Sequence, residues 1–322
     1  MKKFVLYQFF GKELSNEILT GFIDEKAYVL DEFNLTEDYR CGFSTIHQKL
    51  DHLFVDGNGF VKTRFKMATR TINKTMLADL VRKKVKENRE KGIEVQVGDI
   101  EFSLQLKLRE TADIKISVFD VIFDTKNHLI YASASDKVFE EKFLPFLKVT
   151  FPELKVRAFG TQHTPESMAE FFTAPQSLPE GIQPSHFVKV EKEDGSIVTF
   201  DEAELNAQPE FKAILEEGNF FVNQVSMKIS QEAWVCDFKI NNKSLPTGIR
   251  VEGCEQDAEM ERAAGLSGTA SEARDRALTK EQVLFDRLYT NTRIEIEALA
   301  QIAAFVFDFK AMEKKIECAN HS

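Results

Sequence analysis

Between Phe60 and Lys91 the hydrophobic period of this chain changes from two to about three and a half, which commits a strand to run directly into a helix. In Phe60-Val61-Lys62-Thr63-Arg64-Phe65-Lys66-Met67 the cations Lys62, Arg64 and Lys66 share parity, so alternation puts them on one sheet face and the packing residues mainly on the other. From Asn73 to Lys91 the apolar residues Met76, Leu77, Leu80, Val81 and Val85 form a helical stripe, with Arg82, Lys83, Lys86, Arg89 and Glu90 around the rest. Gly92 is placed to stop that helix.

The same reading extends along the chain. Phe4–Phe10 reads as a strand, Ser15–Phe22 as a short amphipathic helix, and Asp56-Gly57-Asn58-Gly59 as the turn into the Phe60 strand. In Val97–Glu110 the spacing of Ile100, Leu104 and Leu108 predicts a second helix folding back on the first, although Phe102, Leu104, Leu106 and Leu108 also alternate like a strand. Ile114–Phe123 and Leu129–Tyr131 are predicted strands joined by a turn at Asp124–His128, and Ser135 caps a helix toward Leu147 with a kink at Pro145. Thr164-Pro165-Glu166 opens a further short helix. The second half offers strands at His186–Val190, Ser196–Phe200, Phe220–Ile229 and Trp234–Ile240, a helix at Pro209–Glu217 and a closing apolar helix at Thr292–Met312. Three of the eight prolines fall between Thr173 and Pro184, which marks a boundary between an N-terminal α+β domain, 1–175, with its helical tip at 73–110, and a C-terminal α+β domain, 185–322. The expected class is α+β: antiparallel sheets with flanking helices and a protruding helical hairpin.

Composition narrows the function. With 43% hydrophobic and 29% charged residues the chain is globular, and its 29 Phe against one Trp and five Tyr are packing residues without a polar handle. No apolar run approaches the length of a bilayer span, and the apolar stretch after Met1 is too short for a signal peptide, so a cytoplasmic, non-membrane protein is expected. Cys41, Cys236, Cys254 and Cys318 are scattered, with no Cys-x-x-Cys pair, so neither a metal nor a disulfide framework is expected. No glycine pattern for cradling phosphates, no G-x-S-x-G and no local Cys/His pair is present. In His47-x-x-x-Asp51-His52, His47 and Asp51 fall on one helical face but no third ligand is marked out, so they read as a helix surface, and Asp56–Gly59 lacks the ligands of a calcium loop. No catalytic residue, cofactor or metal is therefore assigned.

The remaining feature is charge. Eleven cations against three acids leave +8 between Lys62 and Lys91 in a chain whose net charge is −10, so the rest carries −18. Gathered positive charge in an acidic protein is the footprint of a polyanion site. The candidate phosphate contacts are Lys62, Arg64, Lys66, Arg70, Lys74, Arg82, Lys83, Lys84, Lys86, Arg89 and Lys91, joined by Lys107 and Arg109. The expected partner is DNA, double-stranded or single-stranded, bound through phosphates rather than base edges. Two other classes fit less of the pattern: an acidic, DNA-mimicking inhibitor module, and a metal-dependent nuclease built from carboxylates.

The order Gly42-Phe43, Leu50-x-His52, Gly57-Asn58-Gly59-Phe60-Val61, Arg64 and the basic helix resembles the recombination-associated protein RdgC family. The likeness continues through Val121–Tyr131, Thr164–Phe172, Leu215-Glu216-Glu217-Gly218, Val222–Ile229, Trp234–Ile240, Phe285-Asp286 and the helix after Thr292, so it is collinear over nearly the whole chain. The resemblance implies a ring-shaped homodimer that encircles duplex DNA with little sequence preference, associates with the nucleoid and restrains RecA-type recombination. It departs at Lys107-Leu108-Arg109-Glu110-Thr111, which keeps cations but lacks the aromatic residue that the family carries after its hairpin.

Overall fold

The structure is a computed structural model that describes residues 1–28, 34, 37, 39–44, 53–55, 59–201, 205, 208–243, 245–253 and 289–309. The expected features at His47–His52, Asp56–Asn58 and Phe285-Asp286 lie outside the described residues. In chain order the first elements are β1 (Val5–Phe10), α1 (Asn16–Glu25), β2 (Tyr39–Ser44), β3 (Leu53–Val55) and β4 (Phe60–Arg70). Then come α2 (Lys74–Glu90), α3 (Val97–Thr111), β5 (Ile114–Asp124), β6 (Leu129–Ala132), α4 (Asp136–Val138), α5 (Leu144–Thr150), β7 (Lys155–Ala158) and α6 (Glu170–Thr173). The last are β8 (Ile182–Lys192), β9 (Ile197–Asp201), α7 (Pro209–Glu217), β10 (Phe220–Ser230), β11 (Trp234–Asn241), β12 (Pro246–Gly253) and a helix α8 over residues 289–306. Two antiparallel sheets with helices make the fold α+β.

The chain divides into two compact units. One comprises Gly11–His128 and Glu141–Leu154 and contains the basic segment. Its central strand β4 pairs antiparallel with β2, β3 and β5, with Phe65 opposite both Phe43 and Phe119. Phe65 is fully buried, and its ring lies 5.0 Å from Phe143 and 5.2 Å from Phe119, with Phe43 at 6.0 Å. Edge-on and tilted Phe pairs of this kind add to the burial of each ring, which is where part of the Phe excess goes. Against the same cluster α1 presents Leu19, Phe22 and Ile23, an i, i+3, i+4 face, after Ser15 accepts the amide of Ile18 as N-cap.

The helical hairpin forms for local reasons. Asn73 caps α2 by accepting the amide of Met76 at 3.1 Å. At the other end Gly92, with φ of 69°, lets Ile93 N–H reach Asn88 C=O and Gly92 N–H reach Arg89 C=O, a Schellman stop that satisfies two end carbonyls. Residues 97–110 are helical, not extended: Ile100 is buried while Phe102 is 56% exposed, whereas strand parity would have put Phe102 on one face with Leu104. The apolar stripe expected of α2 is only partly covered. Leu77 is buried, Leu80, Val81 and Val85 are half-buried, and Met76 is 51% exposed.

The other unit comprises Met1–Phe10, Leu129–Glu140 and the described residues from Lys155 onward. In it β1 lies between β6 and β7, and a five-stranded sheet runs in the order β12-β11-β10-β8-β9. α8 buries Ile296, Leu299, Ile302 and Val306, so it is a core helix, as its apolar sequence requires. Gly218 stops α7 in the left-handed region, φ 73°, with its amide on Ile214 C=O. The proline-rich segment lies inside this unit, as a 3-10 turn at Pro175–Ser177 followed by β8.

Candidate nucleic-acid interface

The cations of β4 are not equivalent. Arg64 donates from Nε to Asp120 Oδ1 at 3.0 Å and keeps a side chain 37% exposed. Lys66 holds its ammonium 4.7 Å from the centre of the Tyr28 ring, and Arg70, at the strand's end, is half-buried. Lys62 corrects the sequence reading, since it is only 6% exposed. Its register partners are Phe54 on β3 and Ile122 on β5. Burial holds its pKa below the ordinary lysine value, with Asp120 opposing that shift and Arg64 adding to it. Alternation identified its face correctly but could not reveal that this end of β4 is covered on both sides.

On α2 the expected cations are at the surface. Lys74, Arg82, Lys83, Lys84, Lys86 and Arg89, together with the C-capping Lys91, are all exposed. Arg82, Lys86 and Arg89 follow at i, i+4 and i+7, with Lys83 beside them, and Arg82 also stands at the edge of a cleft lined by Leu77 and Val81. Such a row runs about 10 Å along the axis. All three acids of the segment pair with a cation: Asp79 with Arg82 at 3.5 Å, Glu87 with Lys84 at 3.4 Å, and Glu90 with Lys86 at 4.0 Å. These pairs are solvated, so each contributes little and yields readily to a stronger anion. Lys74, Lys83, Arg89 and Lys91 pair with no carboxylate among the described residues. Seven cations against three acids leave α2 and its cap at +4.

Lys107 on α3 is exposed, whereas Arg109 is 8% exposed and cannot serve as an outer contact. Glu101, Gln105 and Arg109 form a polar i, i+4, i+8 row next to the apolar row Ile100, Leu104 and Leu108. That double row was the available sign that Arg109 turns inward. No local sequence pattern points to a hollow of about 280 Å³ in the other unit, where Lys2, Lys239 and Arg250 gather with His186 and Asp237. Lys239 lies 3.6 Å from the Phe187 ring centre there, and Arg250 stands opposite Asp237 across the strand pair.

Among the described residues no group of three or more His, Cys, Asp or Glu side chains is arranged to hold a metal ion, and no helix is long and apolar enough to cross a membrane. No protein-family model matches the chain, and no curated protein matches it.

Proposed function

We propose that this protein binds DNA without sequence specificity, through phosphate contacts made by the outer face of α2. The observation that carries the reading is the exposed row of Arg82, Lys83, Lys86 and Arg89 in a chain of net charge −10. Lys74, Lys84 and Lys91 are further exposed cations on this helix and its cap, and Arg64, Lys66 and Arg70 on β4 and Lys107 on α3 are candidate contacts beyond it. Lys62 and Arg109 are left out because they are buried. Lys and Arg on a helix face neutralise phosphates and release counterions whatever the sequence of the duplex. The acidic remainder keeps the protein soluble and limits binding to that face.

The RdgC-like arrangement belongs to the same proposal: a ring-shaped homodimer around duplex DNA, nucleoid-associated, that restrains RecA-type recombination. Its support is the collinear resemblance together with the basic helix at the position of the family's helical tip. Charge reversal of Arg82, Lys83 and Lys86 to Glu tests the DNA contact. The triple variant is expected to lose binding to duplexes of unrelated sequence at moderate salt while keeping its circular dichroism and melting temperature. Binding of wild-type strength by the folded variant would overturn the assignment.

A further inference from the structure

The end of β4, the first half of α2 and one side of α3 enclose a cleft of about 840 Å³, all within the unit that carries the basic segment. That volume falls in the range of small-molecule sites, about 300–1,000 Å³, and is too small for a duplex. Four cations line it, Arg70, Lys74, Arg82 and Arg109, against the single carboxylate of Glu101. Ile72, Leu77 and Val81 supply apolar wall between them. Two of the lining residues are nearly closed to solvent, Arg109 at 8% and Leu77 at 7% exposure, so both a cation and an apolar residue belong to the buried part of its wall. A net charge of +3 around the cleft favours an anionic occupant. The N-terminus of the 17-residue helix α2, which contributes Lys74 to the lining, adds partial positive charge.

We infer that this cleft binds a nucleoside monophosphate unit. The phosphate meets the guanidinium and ammonium groups, and the base and sugar lie on the wall formed by Ile72, Leu77 and Val81. Inorganic phosphate would leave most of the volume and all of the apolar wall unused. The unit has two sources, a free nucleotide or the 5′-phosphorylated end of a single strand. The inference rests on the reading of this region as phosphate-binding, but it assigns the cleft a ligand distinct from the duplex held on the outer face of α2.

The full chain is titrated with dAMP and with deoxyadenosine by calorimetry, and with single-stranded oligonucleotides bearing a 5′-phosphate or a 5′-hydroxyl by fluorescence anisotropy. Loss of charge-assisted hydrogen bonds is expected to weaken the phosphate-free partner by about tenfold or more in at least one of these pairs. A preference confined to dAMP identifies the free nucleotide as the source, and one shared by the oligonucleotides identifies the strand end. Ala78 lines the cleft yet is exposed, so Ala78→Trp fills the space without removing a cation. It is expected to abolish the phosphate preference while leaving duplex binding unchanged. If its melting temperature falls, Gln105→Trp blocks the cleft from α3 instead. The inference is overturned if neither pair shows a phosphate preference, or if the folded blocking variant keeps it. Duplex titration of the wild type separates the two claims. Duplex binding without a nucleotide preference removes the cleft assignment alone, and a nucleotide preference without duplex binding removes the proposed function and leaves the cleft.

Discussion

Replacing Arg82, Lys83 and Lys86 with Gln removes three positive charges from the outer face of α2 without introducing repulsion, so its effect can be worked out beforehand. Seven exposed cations lie on this helix and its cap: Lys74, Arg82, Lys83, Lys84, Lys86, Arg89 and Lys91. If each neutralises one phosphate, log K falls against log salt with a slope of about −6 per chain, at roughly 0.9 per contact. The triple variant retains four such contacts and a slope of about −3.6. Between 50 and 200 mM salt the wild type then loses about four decades of affinity and the variant about two, so their curves converge as salt rises. The fold should not confound the result. The side chains of Arg82 and Lys86 are each 81% exposed, and surface changes of this kind move stability by about 0.5 kcal/mol or less. Fluorescence anisotropy with a labelled duplex over that salt range gives both slopes. Equal slopes would mean that these three side chains do not meet phosphate.

Other expectations follow from the unit that carries α2. Phe65→Ala empties a fully buried site between Phe43, Phe119 and Phe143, and urea denaturation should show a loss of about 3–5 kcal/mol. Lys62→Met should stabilise the fold at neutral pH. The pKa of Lys62 is lower in the folded than in the unfolded chain, so the native state binds fewer protons between those two values and wild-type stability rises with pH across that window. The gain from methionine is therefore largest below the folded pKa and shrinks toward the ordinary lysine value, which denaturation series at several pH values will show. Burial pushes the Cys41 thiol up to about 11 and Cys236 up to about 12. Both should resist a thiol-disulfide reagent at pH 8 until the protein is unfolded, as peptide mapping of the labelled sites can check.

The sequence was most informative where a single period ran uninterrupted. Phe60–Arg70 and Lys74–Glu90 appear as the strand and helix that alternation and 3.6-residue spacing predict, and Asn73 and Gly92 end α2 by the chemistry expected of those residues. Val97–Thr111 was ambiguous because Leu occupies every second position at 104, 106 and 108, which satisfies both periods at once. What alternation cannot report is how many layers cover a face, and so Lys62 is buried although Arg64 and Lys66, of the same parity, reach solvent. Arg109 failed for a related reason. Its charge suggests the surface, but the row it shares with Glu101 and Gln105 turns toward β4 and α2. The hollow around Lys2, His186, Lys239 and Arg250 depends on the antiparallel bridge between Lys3 and Thr247, 244 residues apart in the chain and beyond the reach of any local pattern.

Lysine reactivity footprinting of the protein bound to a duplex addresses the DNA-binding face most directly. The complex and the free protein are treated with an acetylating reagent, and each site is quantified by mass spectrometry. Lys83, Lys84, Lys86 and Lys91 are expected to be protected by DNA, while Lys12, Lys148 and Lys212, which are also exposed, react as they do in the free protein. Unchanged reactivity along α2 with protection at Lys148 or Lys212 would place the DNA elsewhere and contradict the assignment.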